Sequence, residues 1–272
     1  MIKTTWALMS SLETLSSLHS YLKVRTGSPE DAGWFSSLDL LVPGSTRLDE
    51  LLTQIMTARE TTDRRYGAMA FTNSYWMMIA AALGCYYLAD RVPFISADNL
   101  RFHFDGEAGY VDEITFLTGR FYCLPDDPAA GDTDAVCLPN RETLVTTLRD
   151  QLHEHLTPVI DRVKSHSPLG KRALWAAVAD NAASIIITAT QLLGQPQRCD
   201  AEIEHVLQVV GSPLKGHSGA LWVEHEGQRR AFLKRGSCCL SYGLPAKYGY
   251  CATCPLLSEA ERVERLKAYL PG

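Results

Sequence analysis

The feature that most constrains this chain is a cluster of cysteines near its end. Four of the eight cysteines lie in the segment "SCCLSYGLPAKYGYCATC", at Cys238, Cys239, Cys251 and Cys254. Their spacing is an adjacent pair, then eleven residues, then C-x2-C. A single cysteine is usually a small buried hydrophobic residue, but four thiols held this close favour a common metal or redox centre. The rest of the chain has to fold so that this segment forms one site.

Three kinds of centre compete for the four cysteines. A structural zinc site needs four thiolates in a closed tetrahedron, but it usually takes C-x2-4-C on both sides, which an adjacent pair does not provide. A redox dithiol would use Cys251 and Cys254 alone and would leave the adjacent pair unexplained. A [2Fe-2S] cluster needs four cysteines presented from a loop, which this segment supplies. The residues by themselves leave these alternatives open.

Composition predicts an ordered globular protein and disfavours a nucleic-acid role. Hydrophobic residues make up 46% and charged residues 21% of the 272 residues, so disorder is not expected. The formal net charge of -5 gives no bulk attraction to a nucleic-acid backbone. The first residues lack the unbroken apolar core of a signal peptide, so we expect a cytoplasmic protein. A reducing cytoplasm disfavours structural disulfides and favours metal or redox roles for clustered cysteines.

Residues 66–89 form a stretch without charged side chains. The stretch exceeds the roughly 20 residues that span a membrane. Because the polar residues Thr72, Asn73 and Ser74 interrupt it, we expect instead a core helix at residues 66–90, buried on all sides. Such a helix also allows peripheral association with the inner face of the membrane without requiring it.

Periodicity predicts an α+β fold that is mostly helical, with two β-hairpins and a C-terminal cysteine knuckle. One hairpin is expected at "LRFHFDGEAGYVDEITFL", with a five-residue connection, and one at "ALWVEHEGQRRAFLKRG", turning at Glu226-Gly227. Ser258 and Glu261 have the spacing of a capping box before the last helix. Helices are expected at residues 4–23, 46–62, 66–90, 141–164, 170–193, 200–210 and 256–270.

The chain is expected to have two parts that pack as one compact unit. Residues 1–135 form a helical part with one hairpin. Residues 136–272 form a helical and hairpin part that carries the cysteine motif. The total length suffices for a substantial core.

The cysteine segment resembles the FhuF-type ferric-siderophore reductases. That family has a C-terminal Cys-Cys pair, about ten residues and then C-x2-C, which together bind a [2Fe-2S] cluster. The segments "LKRGSCCLSYGLP", "LTPVIDRV…GKRALW" and "LWVEHEGQRRAFLKR" are similar to those of the family, and the similarity extends over about residues 150–254. This chain has eleven residues between its cysteine pairs. A loop tolerates that change at small cost, but it can alter the hydrogen bonds to the sulfurs that tune the cluster potential.

The resemblance implies a cofactor, a substrate and a set of site residues. The cofactor is a [2Fe-2S] cluster on Cys238, Cys239, Cys251 and Cys254, and one-electron transfer needs no catalytic residue beyond it. The substrate is a ferric siderophore, most simply of the hydroxamate type, which releases its iron when Fe(III) is reduced to the softer Fe(II). The candidate substrate-contacting residues beside the cluster are Lys234, Arg235, Tyr242, Lys247, Tyr248 and Tyr250.

The electron is expected to come from a separate donor, such as a ferredoxin or a reduced flavin system. The sequence contains neither G-x-G-x-x-G nor G-x-x-x-x-G-K-[ST], the patterns of dinucleotide and nucleotide binding. Lys234 and Arg235 would attract an acidic donor or an anionic chelate and would raise the potential of a nearby cluster. An alternative function is a siderophore-binding or electron-transfer partner protein, in which the metal site only braces the C-terminus.

Overall fold

The computed structural model describes residues 7–18, 21–246 and 249–270, and these residues form helices and short strands. The helices are α1 (Ala7–Leu18), α2 (Ser37–Leu41), α3 (Arg47–Ala58), α4 (Arg64–Asn73), α5 (Trp76–Ala89), α6 (Arg141–Ser165), α7 (Lys171–Leu192), α8 (Cys199–Leu207) and α9 (Glu259–Lys267). The strands are β1 (Val24–Thr26), β2 (Trp34–Phe35), β3 (Val92–Pro93), β4 (Leu100–Asp105), β5 (Tyr110–Phe116), β6 (Phe121–Cys123), β7 (Ala135–Cys137), β8 (Gly219–His225) and β9 (Gln228–Lys234). The predicted α+β class is confirmed. The helix predicted at residues 4–23 begins outside the described residues, and its predicted end is wrong: α1 covers Ala7–Leu18, and residues 21–23 are not helical.

The strands form three small sheets. Their orders are β1-β5-β4-β2, β3-β6-β7 and β8-β9, and β1 with β5 and β6 with β7 are parallel pairs. The two predicted hairpins are confirmed as β4-β5 and β8-β9. The other five strands were not predicted, because two or three residues are too few to show the alternation that marks a strand.

The connection between β4 and β5 is shorter than predicted, at four residues instead of five. The Asp105 carboxylate accepts hydrogen bonds from the N–H groups of Glu107 and Ala108, both at 2.9 Å, and so tightens the turn. Gly109 closes the turn at φ 69°, and a Cβ there would lie 2.6 Å from the Cβ of Ala58. Glycine is therefore required both by the backbone conformation and by the approach of α3.

The single helix predicted at residues 66–90 is wrong, because the chain breaks it into α4 and α5. Ser74 and Tyr75 form a turn between them, and the Ser74 hydroxyl donates a hydrogen bond to the Ala70 carbonyl at 3.2 Å. Thr72, Asn73 and Ser74 are weak helix formers that hydrogen-bond locally, which favours a break at this place. The prediction of burial is confirmed, since α5 is buried along nearly its whole length and on all faces.

Helix α7 is the centre of the fold. It packs against α4, α5, α6, α8 and β9, and most of its side chains are buried. In the described part of the chain only α7 has the length and apolar composition to cross a membrane, and 72% of its most apolar stretch is buried inside the fold. One cluster of buried hydrophobic residues has members from Leu8 to Leu244. The predicted division of the chain into two parts at residue 135 stays a prediction.

A buried ion pair joins the loop after α5 to the loop after β6. The Arg91 guanidinium binds the Asp127 carboxylate through two contacts, of 2.6 and 2.7 Å, and the two side chains are 10% and 5% exposed. Arg91 also donates to the Ala7 carbonyl at 2.7 Å, which ties α1 to this pair. The hydrogen bonds from Arg91 hold the pKa of Asp127 below its usual range.

His155 on α6 lies in a buried hydrogen-bonded chain that the sequence did not reveal. Its Nδ1 lies 2.5 Å from the Ile95 carbonyl, which accepts only, so Nδ1 carries the proton and Nε2 is an acceptor. Nε2 therefore accepts from the Ser37 hydroxyl at 2.7 Å, and Ser37 in turn accepts from the Tyr75 hydroxyl at 2.9 Å. Burial lowers the pKa of His155 to about 4, so the ring is neutral in the native protein.

We expect the free energy of unfolding to fall by about 2 kcal/mol between pH 7 and pH 5 on account of His155 alone. The unfolded chain binds a proton near the ordinary pKa of 6.5, whereas the native ring stays neutral until about pH 4, so acid favours the unfolded state. Urea unfolding of wild type and His155→Gln at both pH values measures this difference. Tyr75→Phe leaves the His155 imidazole in place, so its free energy of unfolding should depend on pH as in wild type. Equal slopes for wild type and His155→Gln would contradict the assignment.

Candidate metal centre

The hairpin of β8 and β9 leads directly into the cysteine segment. Its register runs from Gly219 opposite Lys234 to His225 opposite Gln228. The turn residues Glu226 and Gly227 both have left-handed backbones, at φ 50° and 76°, as a two-residue hairpin turn requires. Three residues separate the end of β9 from Cys238, so the cysteines emerge at the open end of the hairpin.

The three residues between β9 and Cys238 are bound to the middle of α7. The Asp180 carboxylate accepts a hydrogen bond from the Gly236 N–H at 2.8 Å and another from the Ser237 N–H at 2.9 Å. The Arg235 guanidinium lies 3.5 Å from the same carboxylate, and Asp180 is fully buried. The path of the chain into the adjacent cysteines is thus set by a residue far away in the sequence.

Gly236 lies directly against the segment that precedes β8. A Cβ at this position would be 2.0 Å from the carbonyl oxygen of His217 and 2.6 Å from its carbonyl carbon. Both atoms belong to the backbone, so no side-chain rotation relieves the overlap. Only glycine allows this approach between the two segments.

The four thiols interact in two pairs that cross the sequence motif. The Cys239 side chain hydrogen-bonds with that of Cys251, and the Cys238 side chain with that of Cys254. Each member of the adjacent pair thus meets one member of the C-x2-C pair. Among the described residues, no group of three or more His, Cys, Asp or Glu side chains is arranged around a single metal ion.

Two of the sulfurs receive hydrogen bonds from the chain that follows them. The Leu240 N–H donates to Cys238, and the N–H and hydroxyl of Ser241 donate to Cys239. Leu240 has a left-handed backbone at φ 62°, which costs a non-glycine residue about 1–2 kcal/mol. Backbone N–H groups that donate to ligand sulfurs in this way are a common support for iron–sulfur sites.

The thiol contacts shift the pKa values in opposite directions. The hydrogen bond with Cys251 and those from Ser241, with the nearby Arg235 charge, lower the pKa of Cys239. The same contact raises the pKa of Cys251, and burial raises that of Cys238. Metal binding requires these thiols as thiolates, so it would displace the protons that they carry.

Helix α9 supports the C-x2-C side of the site. Its Leu266 packs on Leu221 and Val223 of β8, and the predicted capping box of Ser258 and Glu261 is confirmed. The Arg265 guanidinium donates to the Tyr250 carbonyl at 2.7 Å, just before Cys251. The helix that was predicted at residues 256–270 is shorter, at Glu259–Lys267.

The residues present fit a [2Fe-2S] cluster. The donors are four thiols, the ligand set of such clusters, and two of them accept N–H hydrogen bonds from the chain. A single zinc ion needs all four thiolates around one point, and no three of the described Cys, His, Asp or Glu side chains are placed in that way. Two thiolates for each of two irons is the ratio that a [2Fe-2S] cluster requires. The site therefore defines a cysteine-ligated iron–sulfur protein.

Residues 235–256 match the family model of the FhuF 2Fe-2S C-terminal domain. The predicted resemblance to the FhuF-type family is thereby confirmed for this segment, and the cofactor of the domain is a [2Fe-2S] cluster. The domain indicates an iron–sulfur oxidoreductase of the siderophore-iron reductase type. No curated protein matches the chain.

The predicted substrate-contacting residues lie in different surroundings. Tyr242 and Tyr250 are both 43% exposed, and their ring centroids are 5.3 Å apart. Lys234 is half-exposed and pairs with Glu259 at 3.0 Å, whereas the side chain of Arg235 is only 18% exposed and turns towards Asp180. Lys247 and Tyr248 lie outside the described residues. Substrate contact stays a prediction for all six.

Sequence analysis missed one residue of the site. Asp180 is the one carboxylate in the apolar stretch "ALWAAVADNAASIIITA", and a lone acidic residue on a helix otherwise buried is a signal that could have identified it.

Proposed function

We propose that the protein reduces ferric siderophores in the cytoplasm, delivering one electron from its [2Fe-2S] cluster and releasing Fe(II). The observation that supports this most directly is the surface position of a cysteine set matched to the FhuF 2Fe-2S domain. Cys251 is exposed, and Cys238 and Cys239 are half-buried. When bound, the cluster supplies one electron at a time. An acceptor can approach such a centre without entering the protein core.

The protein's own residues hold the ligand sulfurs and offer a surface for the chelate. The N–H groups of Leu240 and Ser241 stabilise the negative sulfurs, and Arg235 adds a positive charge beside Cys239 and Cys251. These interactions favour the reduced, more negative form of the centre. The exposed rings of Tyr242 and Tyr250 provide an apolar face for the organic shell of a hydroxamate siderophore.

Reduction releases iron because the siderophore oxygens are hard ligands. They bind Fe(III) strongly, and one added electron gives Fe(II), which they bind far more weakly. No proton donor or nucleophile has to act on the chelate. The electron comes from a separate ferredoxin or reduced flavin system, and association with the inner face of the membrane would place the protein where imported siderophore arrives.

A single-turnover experiment tests the proposal. Protein reduced anaerobically with dithionite and freed of excess reductant is mixed with a ferric trihydroxamate in the presence of a chromogenic Fe(II) chelator. We expect the visible spectrum of the oxidised cluster to return and one Fe(II) to be trapped for each reduced centre, since each centre gives one electron. The gallium(III) complex of the same siderophore binds alike but accepts no electron, so it should leave the spectrum unchanged.

The outcomes separate the reductase from the alternative functions. If the cluster keeps its reduced spectrum after the ferric siderophore is added, and no Fe(II) is trapped, the proposed reductase function is contradicted. If siderophore binding then remained, measured by quenching of tryptophan fluorescence, a siderophore-binding protein would replace it. Re-oxidation by a ferredoxin but not by the siderophore would identify an electron-transfer partner.

A further inference from the structure

The Asp180 carboxylate is buried in the apolar core helix α7 and is fully inaccessible to water. Burial of a carboxylate costs several kcal/mol unless hydrogen bonds and an opposite charge compensate. An apolar residue at this position would pack against the other buried residues of α7 at no such cost. The carboxylate therefore has to be explained by what it binds.

Four hydrogen bonds and one charge contact converge on this carboxylate. Oδ1 accepts from the Ser218 hydroxyl at 2.6 Å and from the Gly236 N–H at 2.8 Å. Oδ2 accepts from the Ser237 N–H at 2.9 Å and from the Ser237 hydroxyl at 2.5 Å, and the Arg235 Nε lies 3.5 Å away. All but one of these donors belong to the three residues that directly precede the first cysteine.

The same three residues connect Asp180 to the sulfurs. Ser237 is covalently joined to Cys238, so its position decides where the adjacent cysteines begin. Arg235, which Asp180 holds, interacts electrostatically with both Cys239 and Cys251. Displacement of the 235–237 turn would move two ligands and one positive charge together.

We propose that Asp180 is a positioning residue for the [2Fe-2S] centre. It fixes the 235–237 turn on helix α7, and it thereby sets the geometry of Cys238 and Cys239 and the place of the Arg235 charge. The inference concerns the cluster and does not depend on which acceptor the cluster reduces.

The hydrogen bonds require a carboxylate and not merely a polar side chain. Each oxygen accepts one bond from a serine hydroxyl and one from a backbone N–H, and the N–H groups of Gly236 and Ser237 can only donate. Asparagine has the same shape but replaces one acceptor oxygen with an NH2 group, which would face one of these N–H groups. The turn would then lose a backbone bond on that side, and a buried N–H would be left without a partner.

The test is Asp180→Asn in the full chain, with measurements on the cluster itself. We expect the far-UV circular dichroism to be retained, the electron paramagnetic resonance signal of the reduced cluster to change, and iron release to a chelator to accelerate at least about tenfold. A change of that size is usual when a residue that orients metal ligands is lost. No siderophore is present, so a failure of the proposed reductase function would not affect this result.

Asp127→Asn is the matched control, because it removes another buried carboxylate paired with arginine. Its partners Arg91 and Ala129 lie outside the cysteine segment. It should lower the melting temperature while the signal and the release rate stay as in wild type. If Asp180→Asn behaves in the same way, its role is only structural and the proposal fails.

Ser237→Ala provides a second variant should Asp180→Asn not fold. It removes only the hydroxyl bond to Asp180 and keeps both backbone bonds. We expect release of iron to be several-fold faster than in wild type, with an altered resonance signal. Wild-type values for both would overturn the proposal.

Discussion

Cys254→Ala is expected to abolish the [2Fe-2S] centre. Cys254 is 2% exposed and interacts directly with Cys238, so its loss leaves an iron site without one of its ligands and leaves Cys238 without its partner. Loss of a residue that merely orients a ligand costs about 10–100-fold in metal affinity, and loss of the ligand itself should cost more. Iron and acid-labile sulfide per chain, together with the visible spectrum after anaerobic purification, measure the effect.

Cys85→Ala is the matched control for this substitution. Cys85 is a fully buried cysteine of α5, so the change deletes the same atoms from a packed interior. It should lower stability slightly and leave two irons and two sulfides per chain, the content of one cluster. If Cys254→Ala kept the wild-type iron, sulfide and spectrum, the cluster would need a different fourth ligand.

Gly236→Ala is expected to lower the free energy of unfolding by about 3 kcal/mol, the upper part of the range for forced overpacking, and to release the cluster. The new Cβ would lie 2.0 Å from the His217 carbonyl oxygen. The backbone has little room to move away, because the N–H groups of Gly236 and Ser237 are both bonded to Asp180. Relief of the overlap therefore has to break these bonds or displace the start of β8.

Gly243→Ala tests whether that effect is specific. Gly243 lies in the turn between the cysteine pairs, and a Cβ there meets no atom within 4 Å. Its effect should stay within about 0.5 kcal/mol, with full cluster content. Urea unfolding and iron content of the two variants give the comparison. Equal stability and equal iron in both would show that the contact with His217 is not tight.

Arg235 illustrates how the structure refines a prediction from sequence. The sequence placed it beside the cluster as a contact for the chelate or the donor. The structure turns its side chain inward to Asp180, where its charge acts on Cys239 and Cys251. A positive charge in that place acts on the cluster whether or not it also meets the substrate.

The local features of this protein were determined by its sequence. The hairpin turn at Glu226-Gly227, the capping box of Ser258 and Glu261, and the helices α6 and α7 all formed where the pattern indicated. Each of these depends on hydrogen bonds or side-chain spacing within a few residues, which a short segment specifies by itself. The cysteine motif was equally local, and its four residues identified the kind of centre.

The tertiary structure alone decided what holds that centre. The parallel pairing of β1 with β5, the break of a predicted helix at Ser74, and the crossed contacts of the thiols all depend on packing between distant segments. Asp180 stands more than fifty residues before the turn that it fixes. A buried carboxylate is tolerated only where several donors surround it, and those donors come together only when the whole fold has formed.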